Sequence, residues 1–217
     1  RHVEGFTKYL SVRHKGTIWP FNSNYKDIIT RTLQDKRWDM KFVCMQGIIE
    51  YYATSVFNTL RQNTTDTMFA DMLKLIIRDE TRHVSFGRNF LIDYYKTLSD
   101  EELDSRAIFL ADCLIKLLDD DYLYHAHLLY EKYNFDPEET VNHVKEFDNL
   151  IIENKRKKFS GIDFDPKIDQ LENFQMTDRF TLMVKSVAVF NDLQLIRPCS
   201  IPMLEDAFEL NISEILQ

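Results

Sequence analysis

The chain has 217 residues, with 27 Lys and Arg against 35 Asp and Glu and a formal net charge of −8. That length is enough for one sizeable core, and the negative balance disfavours nucleic acid as a partner. Three scattered cysteines, Cys44, Cys113 and Cys199, give neither a zinc spacing nor a disulfide framework, and no apolar run reaches transmembrane length. The expectation is a cytoplasmic protein that does not enter a membrane.

With only five glycines and five prolines, long helices are favoured, and neither an alternating strand run nor an Asn-Gly or Asp-Gly turn interrupts them. Helical periodicity covers about 2–14, 24–36, 37–62, 65–98, 100–133, 137–159 and 177–196, so the fold class is all-α. The first helix has no cap and no initiator Met. Its Arg1-His2-Val3 echoes Arg82-His83-Val84, so the chain is expected to start in mid-helix, as a fragment. Trp19-Pro20 marks the break that follows. Asn63-Thr64-Thr65-Asp66 separates the third helix from the fourth, and a join that short makes the two antiparallel. Ser99-Asp100-Glu101-Glu102 and Asp136-Pro137-Glu138-Glu139 read as helix starts. Lys155-Arg156-Lys157-Lys158 reads as a solvated helix end that complements the dipole. Ser160-Gly161 to Pro166 is the clearest linker. It divides residues 1–160 from a helical extension over 161–217 that could also be a dimer surface, with Pro198 and Pro202 closing the last helix.

Chemistry concentrates in Glu80-Thr81-Arg82-His83. A carboxylate and an imidazole three residues apart on a helix point the same way and can hold one metal ion. Phe69, Met72, Leu73, Ile76, Glu80, His83, Gly87, Phe90 and Tyr94 recur at spacings of three and four, which places the pair on the apolar stripe. Glu-x-x-His alone is short and common, and taken by itself it favours a core histidine beside a salt-bridged glutamate. Glu50 changes the balance. It is the only charge in Cys44-Met45-Gln46-Gly47-Ile48-Ile49-Glu50-Tyr51-Tyr52-Ala53, and similar distances from the turn put it at nearly the same height as Glu80. Two buried acids at one height repel unless a cation lies between them. The other histidines are weaker candidates. His125 and His127 lie two apart, which turns them to different sides of a helix, and His14 and His143 read as surface. Tyr51 and Tyr52 read as core aromatics.

A Glu-x-x-His on each of two helices with a lone Glu from each of two others resembles the di-metal site of the ferritin-like four-helix bundles. The string Asp79-Glu80-Thr81-Arg82-His83-Val84 is similar to the Asp-Glu-x-Arg-His of di-iron oxidases and monooxygenases. The resemblance is strong from His2 to about Tyr95 and loose to about Leu150. It implies a ferritin-like four-helix bundle whose first part precedes Arg1, with two of six ligands there. His2, Glu50, Glu80 and His83 would be the metal ligands, and Asp79 would support a ligand histidine from behind. Thr54, one turn beyond Glu50, would lie near bound oxygen as in bacterial multicomponent monooxygenases, or its hydroxyl would bond back to the Glu50 carbonyl. Gly47 and Phe57 would line the substrate pocket with it.

The activity so implied is a non-haem di-iron oxidase or oxygenase, with two Fe ions or a Mn/Fe pair, because carboxylate and imidazole donors suit both metals. Dioxygen, a small organic substrate and an external electron donor such as a ferredoxin or reductase would be its partners, and a homodimer is expected. Two alternatives stand beside it. One is a subunit resembling the ribonucleotide reductase small subunit, although Phe6 occupies the place of its usual radical tyrosine. The other is a non-catalytic helical protein with a buried Glu/His cluster.

Overall fold

A computed structural model describes residues 1–13, 15, 23–119, 136–159, 161, 165, 179–208 and 211–216. All regular structure among them is helical: α1 (His2–Arg13), α2 (Ser23–Gln34), α3 (Trp38–Cys44), a π-helical turn (Met45–Ile49), α4 (Glu50–Asn63), α5 (Thr67–Tyr95), α6 (Asp100–Asp119), α7 (Pro137–Phe159), α8 (Arg179–Asp192), α9 (Ile201–Phe208) and α10 (Ile212–Ile215). The fold class is therefore all-α. Among the described residues no helix is long and apolar enough to cross a membrane. His14, Trp19-Pro20, the expected run of the fifth helix from 120 to 133 with His125 and His127, and most of the linker around 160–166 lie outside the described residues.

The helix starts follow from capping. Asp66 accepts from the Phe69 amide at 3.2 Å and opens α5. Ser99 and Glu102 form a reciprocal box at α6: the Ser99 amide donates to Glu102 at 2.9 Å and the Glu102 amide to the Ser99 hydroxyl at 3.3 Å. The Asp136 carboxylate receives the Glu139 amide at 2.9 Å and opens α7. Near the end of the chain the expectation needs correction. Pro202 does not close a helix but sits in the first turn of α9, where its missing N–H costs nothing. The basic run at the end of α7 is only partly solvated, because Arg156 is half-buried and donates to the Phe208 carbonyl at 2.7 Å.

The core gathers Ile28 of α2, Met40 and Val43 of α3, Ile48 of the π turn, Leu91 and Tyr95 of α5, Leu110 and Leu114 of α6, and Val187 and Phe190 of α8. Asp39 and Arg106 lie inside it as a two-pronged pair, with contacts of 2.6 and 3.1 Å, and the Tyr95 hydroxyl donates to Asp39 at 3.0 Å. That network ties α3, α5 and α6 together at one end of the long helices. At the other end, α1 and α4 carry no fully buried residue.

The buried face of α5 departs from the expected stripe. Leu73, Ile76, Val84, Gly87, Leu91 and Tyr95 are buried, while His83 and Phe90 are exposed and Tyr94 is intermediate. At 100° per residue His83 and Phe90 fall on one edge of the expected stripe, roughly 70–90° from the mean direction of the buried residues, so they face solvent, while Tyr94, nearer the centre of the stripe, still packs against the core.

Candidate metal centre

Two helix pairings bring the polar residues together. The turn at Thr64–Asp66 folds α4 back along α5, and the antiparallel register shows in successive contacts: Glu50 with His83, Phe42 with Phe90, Trp38 with Tyr94. Helix α1 then lies along the first half of α5. Its far end is anchored at Asp66, which Tyr9 and Arg13 both reach at 3.3 Å, and Tyr9 stacks on Phe69 at 4.6 Å between ring centres. Eleven residues back along α1 from Arg13 and 13 or 14 forward along α5 from Asp66 cover similar lengths, so His2 arrives near Asp79 and Glu80.

The π turn completes the alignment. It inserts one residue just before Glu50, which rotates that side chain by roughly 100° relative to an unbroken α-helix. Ile48 and Ile49 can then stay in the core while Glu50 turns toward α5. The Gln46 side chain lies flat against Gly87, where a β-carbon would come within 2.0 Å of Oε1. Gly87 thus leaves room for the Gln46 side chain to lie across α5 one turn above the cluster, and a β-carbon there would make that side chain move.

At the centre, Glu80 offers one oxygen to each histidine. Oε1 lies 2.7 Å from His2 Nδ1, and Oε2 lies 2.9 Å from His83 Nδ1. His83 Nδ1 is also 3.7 Å from Glu50 Oε1, and the two imidazole rings are 6.3 Å apart, centre to centre. Ligand atoms of Glu50, Glu80 and His83 all fall within 4.8 Å of one another, the spacing of a shared cation site. The Glu80 side chain is 12% exposed, whereas His83 is 49% exposed, so the cluster is buried on one side and open on the other.

Electrostatics are unbalanced. Burial, and then the neighbouring Glu80 charge, push the Glu50 carboxyl up to about 7, against partial relief from His83 and His2. Its Oε2 is buried without any hydrogen-bond partner. Asp79 goes the other way. Burial raises its carboxyl, but the contact with His2 and the Arg78 charge outweigh this and hold it below the usual carboxylate range.

Asp79 Oδ2 stands 3.5 Å from His2 Nε2, the nitrogen turned away from Glu80, which is the supporting position but at long range. Its other oxygen meets Arg78 at 3.5 Å and Arg82 at 3.8 Å. The Thr54 hydroxyl bonds back to its own helix, but at 2.7 Å to the Tyr51 carbonyl and not to that of Glu50. Phe57 packs on Phe6 at 5.4 Å, and Gly47 is buried with Val43 and Val189 in ordinary contact with its position. An open cavity of about 470 Å³ meets the cluster from the α1–α5 side, between Arg1, His2, Val3, Asp79, Arg82 and His83. Sequence reasoning missed the Gln46–Gly87 fit and the opening at His83. A glycine in each facing run was the available signal for the first. No family model matches the chain, and no curated protein and no solved structure matches it.

Proposed function

We propose that the chain is an oxidoreductase of the ferritin-like bundle class, in which His2, Glu50, Glu80 and His83 hold a pair of iron ions, or one manganese and one iron, for reaction with dioxygen. The observation that carries this reading is the Glu80 carboxylate with one imidazole on each oxygen and Glu50 beside the second. A carboxylate so placed would help to hold a pair of cations, with His2 and His83 as nitrogen donors on either side of it and Glu50 as a further oxygen donor.

The residues present fit the group. Glu50 Oε2 is a buried acceptor that lacks a donor, and burial of that kind is costly unless a cation or donor completes it. Two carboxylates and two imidazoles are oxygen and nitrogen donors suited to Fe(II) and Mn(II). When bound, the metal pair would supply electrons to dioxygen and polarise it for attack on a small organic substrate, with an external donor restoring the electrons.

The chain's own residues do the rest. Glu80 fixes both imidazoles with their Nδ1 atoms turned inward, and Asp79 holds the outer nitrogen of His2. Glu50 gives up its proton on binding a cation, so affinity rises as pH passes about 7. The Thr54 hydroxyl is already engaged with its own helix and takes no part in this account. Phe6, packed at a tilt against Phe57, cannot carry a tyrosyl radical, which favours oxidation of a small substrate over radical supply to a partner.

The test is loading with Fe(II) under anaerobic conditions, followed by exposure to air. Wild type should bind two ions and consume oxygen, and Glu80→Ala should do neither while keeping its helical circular dichroism. Retained iron binding in Glu80→Ala would overturn the reading.

A further inference from the structure

Two buried oxygens lie on the seam between the π turn and α5, and metal binding accounts for neither of them fully. Glu50 divides its carboxylate. Its Oε1 is the oxygen turned to His83, at 3.7 Å, and so to a cation held there. Its Oε2 is buried and meets no hydrogen-bond donor among the described residues. Gln46 Oε1, four residues earlier in the chain, is buried in the same condition. A buried acceptor without a donor is destabilising, and two so close in sequence call for a common explanation.

The antiparallel register stacks them. Glu50 stands against His83, and Gln46 stands against Gly87. Each partner is four residues from the other on its own helix, so both pairs lie on one seam, about one turn or 5.4 Å apart. The missing β-carbon at Gly87 is what lets the Gln46 amide lie there: that carbon would sit 2.0 Å from Oε1. An O–H···O bond is about 2.7–2.8 Å long, so one molecule that donates to both oxygens spans about 5.5 Å. Water has two O–H donors and is small enough for a buried polar seam. The Gln46 amide itself does not reach, because Glu50 Oε2 receives no bond from it.

We infer that Gln46 is a positioning residue of the cluster: with Glu50 Oε2 it holds one water molecule, which donates one hydrogen to each oxygen and keeps Glu50 Oε1 turned to His83. Gln46 thereby backs Glu50 through a water as Asp79 backs His2 directly. Glu50 is left with one oxygen for the second ion and one engaged by the water, so its carboxylate stays in a single orientation. An apolar side chain of the same length would fill the space beside Gly87 equally well without burying an acceptor, so packing alone does not call for the amide. The effect on the ion rests on the reading of the cluster as a metal centre. The water bridge does not.

Two measurements test this. The first is a high-resolution crystal structure of the metal-free protein at pH 8, which should show one water within hydrogen-bond reach of both Gln46 Oε1 and Glu50 Oε2. A direct bond between the Gln46 amide and Glu50, or no molecule bonded to both, overturns the inference. The second compares wild type with Gln46→Met, which keeps the length of the side chain and removes the acceptor. Mn(II) affinity by calorimetry should fall by about 10-fold or more, and the electron paramagnetic resonance line shape of the bound Mn(II) should change with it. Circular dichroism and the urea midpoint of the metal-free form should stay as in wild type. Unchanged affinity and line shape in Gln46→Met overturn the inference, whatever the urea midpoint does. Wild type that binds no Mn(II) overturns the metal reading instead, and the metal-free crystal then decides the water bridge alone.

Discussion

Replacing Glu50 with Gln should stabilise the metal-free protein, and only at neutral to alkaline pH. The carboxyl sits at about 7 in the folded chain against an ordinary value of 4.5. Between those values the folded state holds a proton that the unfolded state has released. Stability therefore falls as pH rises through this window, and the loss is complete above the folded value. A shift of that size corresponds to at most about 3 kcal/mol, and partial solvent access reduces it to about 2. Glu50→Gln keeps the shape and removes the charge. Urea unfolding after chelation should show wild type and mutant alike near pH 4.5, and the mutant more stable by about 2 kcal/mol at pH 8. Manganese added to wild type at pH 8 should restore the loss, and the mutant should gain less. A difference between the two proteins that is constant across pH, or a mutant that is less stable at pH 8, would refute the reasoning. It would mean that Glu50 is a satisfied structural acid and not one waiting for a cation.

Other expectations follow from the same geometry. Asp79→Ala should lower Mn(II) affinity by about 10–100-fold in calorimetric titration, with circular dichroism unchanged, because only the backing of His2 is lost. Gly87→Ala should cost about 1–3 kcal/mol in chemical denaturation, since its β-carbon meets Gln46, and Gln46→Ala in the same chain should recover much of that. Asp39→Ala should cost about 3–5 kcal/mol by the same assay, because it strands the Arg106 charge in the core and leaves the Tyr95 hydroxyl without its acceptor.

Which of these features the sequence reveals depends on the range over which each is encoded. Glu80 and His83 share a face because three residues make nearly one turn, a local fact that survives any packing. Glu50 stands out as a lone charge among apolar neighbours, and the short turn at Asn63–Asp66 sets its height opposite His83. The buried face of α5 is a long-range matter: steps of three and four keep the stripe on one side of the helix, but the neighbouring helices decide which edge of it turns to solvent, and His83 and Phe90 fall on that edge. The π turn cannot be read from periodicity, because an inserted residue looks like ordinary spacing until packing decides which side chains turn inward. Thr54 shows the limit of position without rotamer. It lies one turn from Glu50, yet its hydroxyl is satisfied by the Tyr51 carbonyl. The Asp39–Arg106 pair joins residues 67 apart in sequence, and two ordinary charges gave no local sign of meeting.

The central claim is that Glu80 lies between two metal ions, each capped by one histidine. Anomalous diffraction at the iron and manganese edges from crystals soaked in Fe(II) or Mn(II) tests it most directly. The account predicts two peaks, one beside His2 Nδ1 and one beside His83 Nδ1, with Glu80 between them and Glu50 on the second. A cluster that stays free of metal, with both imidazoles still bonded to Glu80 at saturating metal, would contradict it.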